Sequence, residues 1–170
     1  MMGKNHKLVT GSFVFAFTFS IPATILACVT ATFPDRIENI IRVNHRTYSH
    51  WFPFYLIPMI FIYFYLINYG IFFLDTNEWL LAIKNKNTFL LGLNVSFWLF
   101  LGGLAHIIED SVCGKIPIVK PTKTKPYFKF FETDSWFEEI FAKGISLLVL
   151  IAKIPVFAQL VKKILSCITI

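Results

Sequence analysis

The run 51–74, WFPFYLIPMIFIYFYLINYGIFFL, holds 24 consecutive residues without a charge. A helix needs about 20 predominantly apolar residues to cross the core of a bilayer. A helix on the surface of a soluble domain would carry a polar face, and this run has none. A second run, 88–108, TFLLGLNVSFWLFLGGLAHII, follows after the short segment DTNEWLLAIKNKN, which reads as a loop. Two spans joined by a short loop form an antiparallel hairpin, so residues 50 and 106 come to the same membrane side. Gly92, Gly102 and Gly103 suit close contact between helices. Composition agrees: the chain is 56% hydrophobic and 15% charged, against about 45–50% and about 25% in an average soluble domain. Twenty phenylalanines in 170 residues exceed what one small soluble core hides.

Two further apolar segments bracket these. Segment 8–33 carries no charge and has Pro22 near its centre. A basic start and small residues at Ala27-Cys28 resemble a signal peptide, but the apolar run continues to Phe33, longer than such regions are. One straight helix over 8–33 would extend about 39 Å at about 1.5 Å per residue and would leave His6 far from Asp35. Two short helices, 8–20 and 22–33, broken at Pro22, would bring His6 back. Segment 140–168 reads either as a last span or as an interfacial helix, and Lys153 near its middle favours the interface. Residues 34–50 and 109–139 read as polar loops. The expected fold is therefore all-α: a polytopic helical membrane protein, one domain over 1–170, a small bundle with a polar site at one membrane face. Arg36, Arg42, Arg46 and the lysines at 115, 120, 123, 125 and 129 lie on the site side, which orients it to the cytoplasm. The net charge of +6 comes with no basic, aromatic-interleaved groove, so nucleic acid is not expected as a partner. The expected partner is the lipid bilayer. Cys28, Cys113 and Cys167 show no CxxC spacing and predict neither a disulfide framework nor a cysteine zinc site.

The chain has four histidines, His6, His45, His50 and His106, each at the edge of an apolar segment. The hairpin brings His45, His50, His106 and Asp110 to one side, and Asp35 belongs to the same polar stretch. His106 and Asp110 are one helical turn apart and share a face. Glu109 points about 100° away around that helix and is expected to matter little. Imidazoles with carboxylates suit zinc, and also manganese or iron. Arg46 suits an anionic phosphate oxygen. Each residue alone also fits an interfacial anchor or a helix cap; the convergence is what points to a metal site.

These motifs resemble the inner-membrane-associated metal-dependent hydrolases of the YdjM type, also called LexA-binding. Asn5-His6 fits that family's N-terminal histidine. Pro34-Asp35 fits the start of its P-D-x-D loop, and His45-Arg46-Thr47-Tyr48-Ser49-His50 fits its H-R-G-x-T-H motif. Gly102 through His106 and Asp110 fit its G-x-x-x-H-x-x-x-D segment, and Gly114-Lys115-Ile116-Pro117 through Pro121 fits its G-[IV]-P-L-L-x-P stretch. The order matches over about residues 5–121. Thr47 stands for the motif's glycine, Ser49 for its threonine and Trp51 for the serine that follows, and the last stretch has an extra lysine; the departure that matters is Ile37, which stands where the second aspartate would be, with Glu38 adjacent but out of register. The resemblance implies a hydrolase related to the zinc-dependent phospholipase C type in a bacterial inner membrane. It implies His6, Asp35, His45, His50, His106 and Asp110 as metal ligands, with Asp35 and Arg46 also serving the reaction. The competing expectation is a non-catalytic membrane protein whose basic face, Lys115 to Lys129, binds anionic lipid or an acidic partner.

Overall fold

The computed structural model describes residues 1–42, 48–69, 76–121, 123–126 and 130–168. His45 and Arg46 lie outside these residues. The described chain is mostly helical: α1 (Gly3–Thr18), α2 (Ile21–Thr30), α3 (Phe33–Ile41), a 3-10 turn at Tyr48–His50, α4 (Phe52–Asn68), α5 (Thr76–Lys84), α6 (Thr88–Cys113) and α7 (Trp136–Ile168). An antiparallel hairpin, β1 (Lys115–Lys120) and β2 (Lys123–Pro126), follows α6.

The first apolar segment is not one helix. Phe19 adopts a left-handed conformation, φ 51°, and its amide bonds back to Phe15 O, which stops α1. Ser20 then caps α2, its side chain accepting from Ala23 N. Pro22 lies in the first turn of α2, where its missing N–H costs nothing. The reversal is therefore made by Phe19 and Ser20, and Pro22 starts the returning helix. The chain passes down α1, up α2, down α4 and up α6. The start of α1, the end of α2, the start of α4 and the end of α6 meet at one end of the bundle.

Three segments expected as loops are ordered elements. Residues 34–50 contain α3, whose N-terminal turn holds Pro34 and Asp35. Residues 75–87 contain α5, whose buried Trp79 and Ala82 join Val14, Ala27, Leu66, Phe97 and Trp98 in the largest apolar core cluster. The polar stretch 109–139 begins inside α6, which runs on to Cys113, and then forms the β-hairpin. Ile116 of that hairpin packs with Tyr55, Leu104 and Ile107 under the end where the helices meet.

Two consecutive glycines set the packing of α6. A Cβ on Gly102 would collide with Thr30 and with the backbone of Ala27, and a Cβ on Gly103 would collide with the Tyr55 ring. One glycine thus admits α2 and the next admits α4. Because His106 lies one turn above Gly102, the approach of α2 to Gly102 also aims His106 at the end of α2.

The outer surface inverts the soluble pattern. On α4, Phe54, Ile57, Phe61 and Phe64 recur at three- and four-residue spacing, and all are exposed, Phe61 by 73%. On α2, Ile21, Ile25 and Val29 do the same, as do Leu147, Ile151 and Ile154 on α7. A stripe at this spacing normally faces a core. Among the described residues, α6 is the helix long and apolar enough to cross a membrane; α4 is apolar but only 17 residues long. Helix α7 packs against α1. Lys153 places its Nζ 4.2 Å from the centroid of the Phe17 ring, a cation–π contact.

Candidate metal centre

Three histidines from three parts of the chain converge. His6 comes from the first turn of α1, His50 from the 3-10 turn before α4, and His106 from α6. All three are fully buried. The His6 and His106 rings lie 3.9 Å apart by centroid, and those of His50 and His106 lie 5.0 Å apart. Asp110 is buried with them, and Asp35, at the start of α3, is half-buried at the mouth.

Each imidazole is held by its Nδ1. His6 Nδ1 donates to Glu109 Oε2 at 2.6 Å. His50 Nδ1 donates to Glu38 Oε1 at 2.9 Å. His106 Nδ1 donates to Ala31 O at 2.7 Å. Ala31 caps α2, and helix-terminal carbonyls lack an intrahelical partner, so this bond satisfies the helix end and the histidine together. An acceptor on Nδ1 fixes the tautomer and leaves Nε2 of His50 and His106 as the lone-pair nitrogen. His6 differs: its Nε2 lies 3.1 Å from Met1 O and 3.3 Å from Asp110 Oδ1, two acceptors to which it donates.

His50 and His106 present their inward nitrogens at ligand spacing to each other and to each of two carboxylates. His50 Nε2 and His106 Nε2 are 3.1 Å apart. Asp35 Oδ1 lies 3.3 Å from His50 Nε2 and 3.5 Å from His106 Nε2. Asp110 Oδ2 lies 3.6 Å and 3.8 Å from the same two nitrogens. Donors bound to zinc at about 2.0–2.1 Å in a tetrahedron stand about 3.3–3.4 Å from each other. The other Asp110 oxygen, Oδ1, is 3.3 Å from His6 Nε2 and 2.5 Å from the amino group of Met1. Lone pairs and carboxylate oxygens this close repel unless a positive charge sits among them. Protons on the rings or a metal ion supply that charge, and the Met1 ammonium shows Asp110 already holding a cationic group. The donor set, imidazole nitrogen with carboxylate oxygen, fits a divalent ion of the zinc, manganese or iron type.

Protonation follows the same geometry. Burial works against an ionised Asp35, but hydrogen bonds with His106 and His50 outweigh it and hold the carboxyl well below its ordinary range.

Among the residues expected from sequence, the structure brings His6, Asp35, His50, His106 and Asp110 together. The placement of His45 and Arg46 is outside the described residues. Two expectations need correction. Glu109 does turn away from Asp110, but that direction is where α1 lies: its carboxylate holds His6 and accepts from Thr10 Oγ1 at 2.8 Å. Glu38 is out of register only in an extended chain. On α3 it lies three residues after Asp35, hence on the same face, where it holds His50 and accepts from Ser49 Oγ. A helical reading of 33–41 is the signal that would have found it.

Glu138 at the start of α7 fixes the strand of chain that carries His6. Its Oε1 accepts from Met2 N and from Asn5 Nδ2, both at 2.6 Å, and its Oε2 accepts from Asp134 N. The bond from Met2 N satisfies a backbone amide just before α1, and the bond from Asp134 N one just before α7. No family model, curated protein or solved structure matches this chain at a significant level.

Proposed function

We propose that the chain is a membrane-embedded, metal-dependent hydrolase of phosphoesters. The observation that carries this reading is the pair of buried imidazoles, His50 and His106, each tied at Nδ1, whose Nε2 atoms converge with Asp35 and Asp110, with the His6 ring stacked beside them. A structural cluster needs no uniform orientation of this kind, whereas a ligand set does. When bound, a divalent ion supplies Lewis acidity toward a phosphoryl oxygen and acidifies water. His50, His106, Asp35 and Asp110 would hold it, with His6 on the Asp110 side and His45 as the remaining ligand implied by the motif. Asp35, half-buried at the start of α3, is the most exposed of these described ligands, and the resemblance gives it a role in the reaction as well. Arg46, close in sequence to Ser49 and His50, would bind the anionic oxygen that the reaction charges further. The motif resemblance to YdjM-type proteins points to the same chemistry.

The outward-facing apolar stripes support a lipid setting, since stripes of that extent on a soluble surface would associate. The excess of arginine and lysine at the site end favours the cytoplasmic face of an inner membrane. A second reading has one observation of its own: Lys115 and Lys120 are exposed at the ends of β1, as a surface for anionic lipid would need. The test is a panel of phosphomonoesters and phosphodiesters offered to purified protein with zinc, manganese or iron. Hydrolysis that needs metal and falls by at least about 100-fold in Asp35→Asn supports the enzyme. Protein that binds metal stoichiometrically and hydrolyses no ester on the panel contradicts it.

A further inference from the structure

Helix α1 carries the metal ligand His6 at one end and an apolar slot along its length. A cavity of ≈390 Å³ lies between α1, α6 and α7, walled by residues such as Val9, Leu104, Ile108, Phe141 and Ile145. A second, of ≈310 Å³, continues toward the other end of α1 past Phe17, Tyr63, Phe97 and Trp98. The two share Phe13, Val14 and Leu101 as a common wall. Each is the size of a small-ligand pocket, about 300–1,000 Å³. Together they follow α1, whose 16 residues rise about 24 Å at about 1.5 Å each. One leaflet of a hydrocarbon core is about 15 Å deep, half of about 30 Å, so the slot is long enough for a single acyl chain.

The slot offers no polar group to a guest. Thr10 Oγ1 is spent on Glu109, Glu109 on His6, and Thr18 Oγ1 on Val14 O. At its site end the slot is lined by Met1 and Glu109. These are the groups that touch Asp110 and His6. A chain lying in the slot leaves its polar head at the edge of the histidine cluster.

We infer that this slot binds one hydrocarbon chain of an amphiphilic phosphoester, and that the substrate class of the metal centre is therefore a lipid rather than a water-soluble phosphate. The inference rests on the hydrolase reading for the word substrate, but the slot itself stands on its lining and position. Affinity is measured with a series of radiolabelled n-alkyl phosphates, methyl to dodecyl, on the detergent-solubilised full chain. Binding tightens by about fourfold per added methylene until the slot is full. Leu101→Trp blocks the shared wall and Ile145→Trp blocks the α7 side; both flatten the series to the methyl phosphate level. Leu148→Trp, on the exposed outer face of α7, leaves the series unchanged. An identical chain-length dependence in wild type, Leu101→Trp and Ile145→Trp overturns the slot, because the chains are then dissolving only in detergent. Chain-length-dependent binding by protein that hydrolyses nothing keeps the slot and removes the enzyme. Metal-dependent hydrolysis of methyl esters with no preference for longer chains keeps the enzyme and removes the slot.

Discussion

At the scale of single residues, the site depends as much on what holds the histidines as on the histidines. Glu38 and Glu109 hold His50 and His6 through Nδ1, and Glu38 also groups with Asp35 and His50 at a spacing that could take an ion. Groups of this kind typically contribute 10- to 100-fold in metal affinity. Glu38→Gln and Glu109→Gln should each weaken metal binding by about 10- to 100-fold, and Asp110→Asn by more, read by competition with a chromogenic chelator. Equal affinity in Glu109→Gln and wild type would mean that the His6 bond has no part in the centre. Metal binding needs neutral imidazoles and so competes with protons. The thermal stabilisation given by added zinc should therefore be larger at pH 8 than at pH 6, and thermal shifts at the two pH values check it.

At the scale of elements, the glycine pair on α6 joins packing to the site. Gly102 lets α2 approach, and α2 delivers the Ala31 carbonyl to His106. Gly102→Leu should cost at least about 1–3 kcal/mol of stability, as overpacking does, and should loosen metal binding at the same time. Gly92 has open space where a Cβ would go, so Gly92→Ala should be neutral or stabilising by up to about 1 kcal/mol; chemical denaturation of the two variants compares them. The elements also show what the sequence made legible. Uncharged runs announced α4 and α6, because absence of charge over such lengths has few explanations. The turn between α1 and α2 was legible only as an alternative, since a left-handed Phe19 leaves no compositional trace while Pro22 does. Helices α3 and α5 were hidden by their polar composition: a short helix with Asp35, Arg36 and Glu38 looks like a loop until its one buried face has something to pack on. Glu38 was missed for that reason alone. Glu109 was missed for another, since a single helix gives the direction of a side chain but not the neighbour standing there.

At the scale of the whole molecule, four chain segments bring their ends together at one pole, and apolar side chains cover much of the outside. If that outside faces lipid, positions 47 and 122 should be reached by a cysteine reagent from one side of the membrane and position 77, in the first turn of α5, from the other. Labelling of 47 and 77 from the same side would contradict a bundle that crosses the membrane. The central claim is that the converging Nε2 atoms and carboxylates hold a metal ion. The direct measurement is the metal content of the purified full chain by elemental analysis, alongside His50→Ala and His106→Ala shown to be folded by circular dichroism. At least one zinc, manganese or iron ion per wild-type chain is expected, with a loss of most of it in both variants. A folded wild-type protein that neither carries metal nor takes it up on dialysis against zinc, manganese or iron would contradict it.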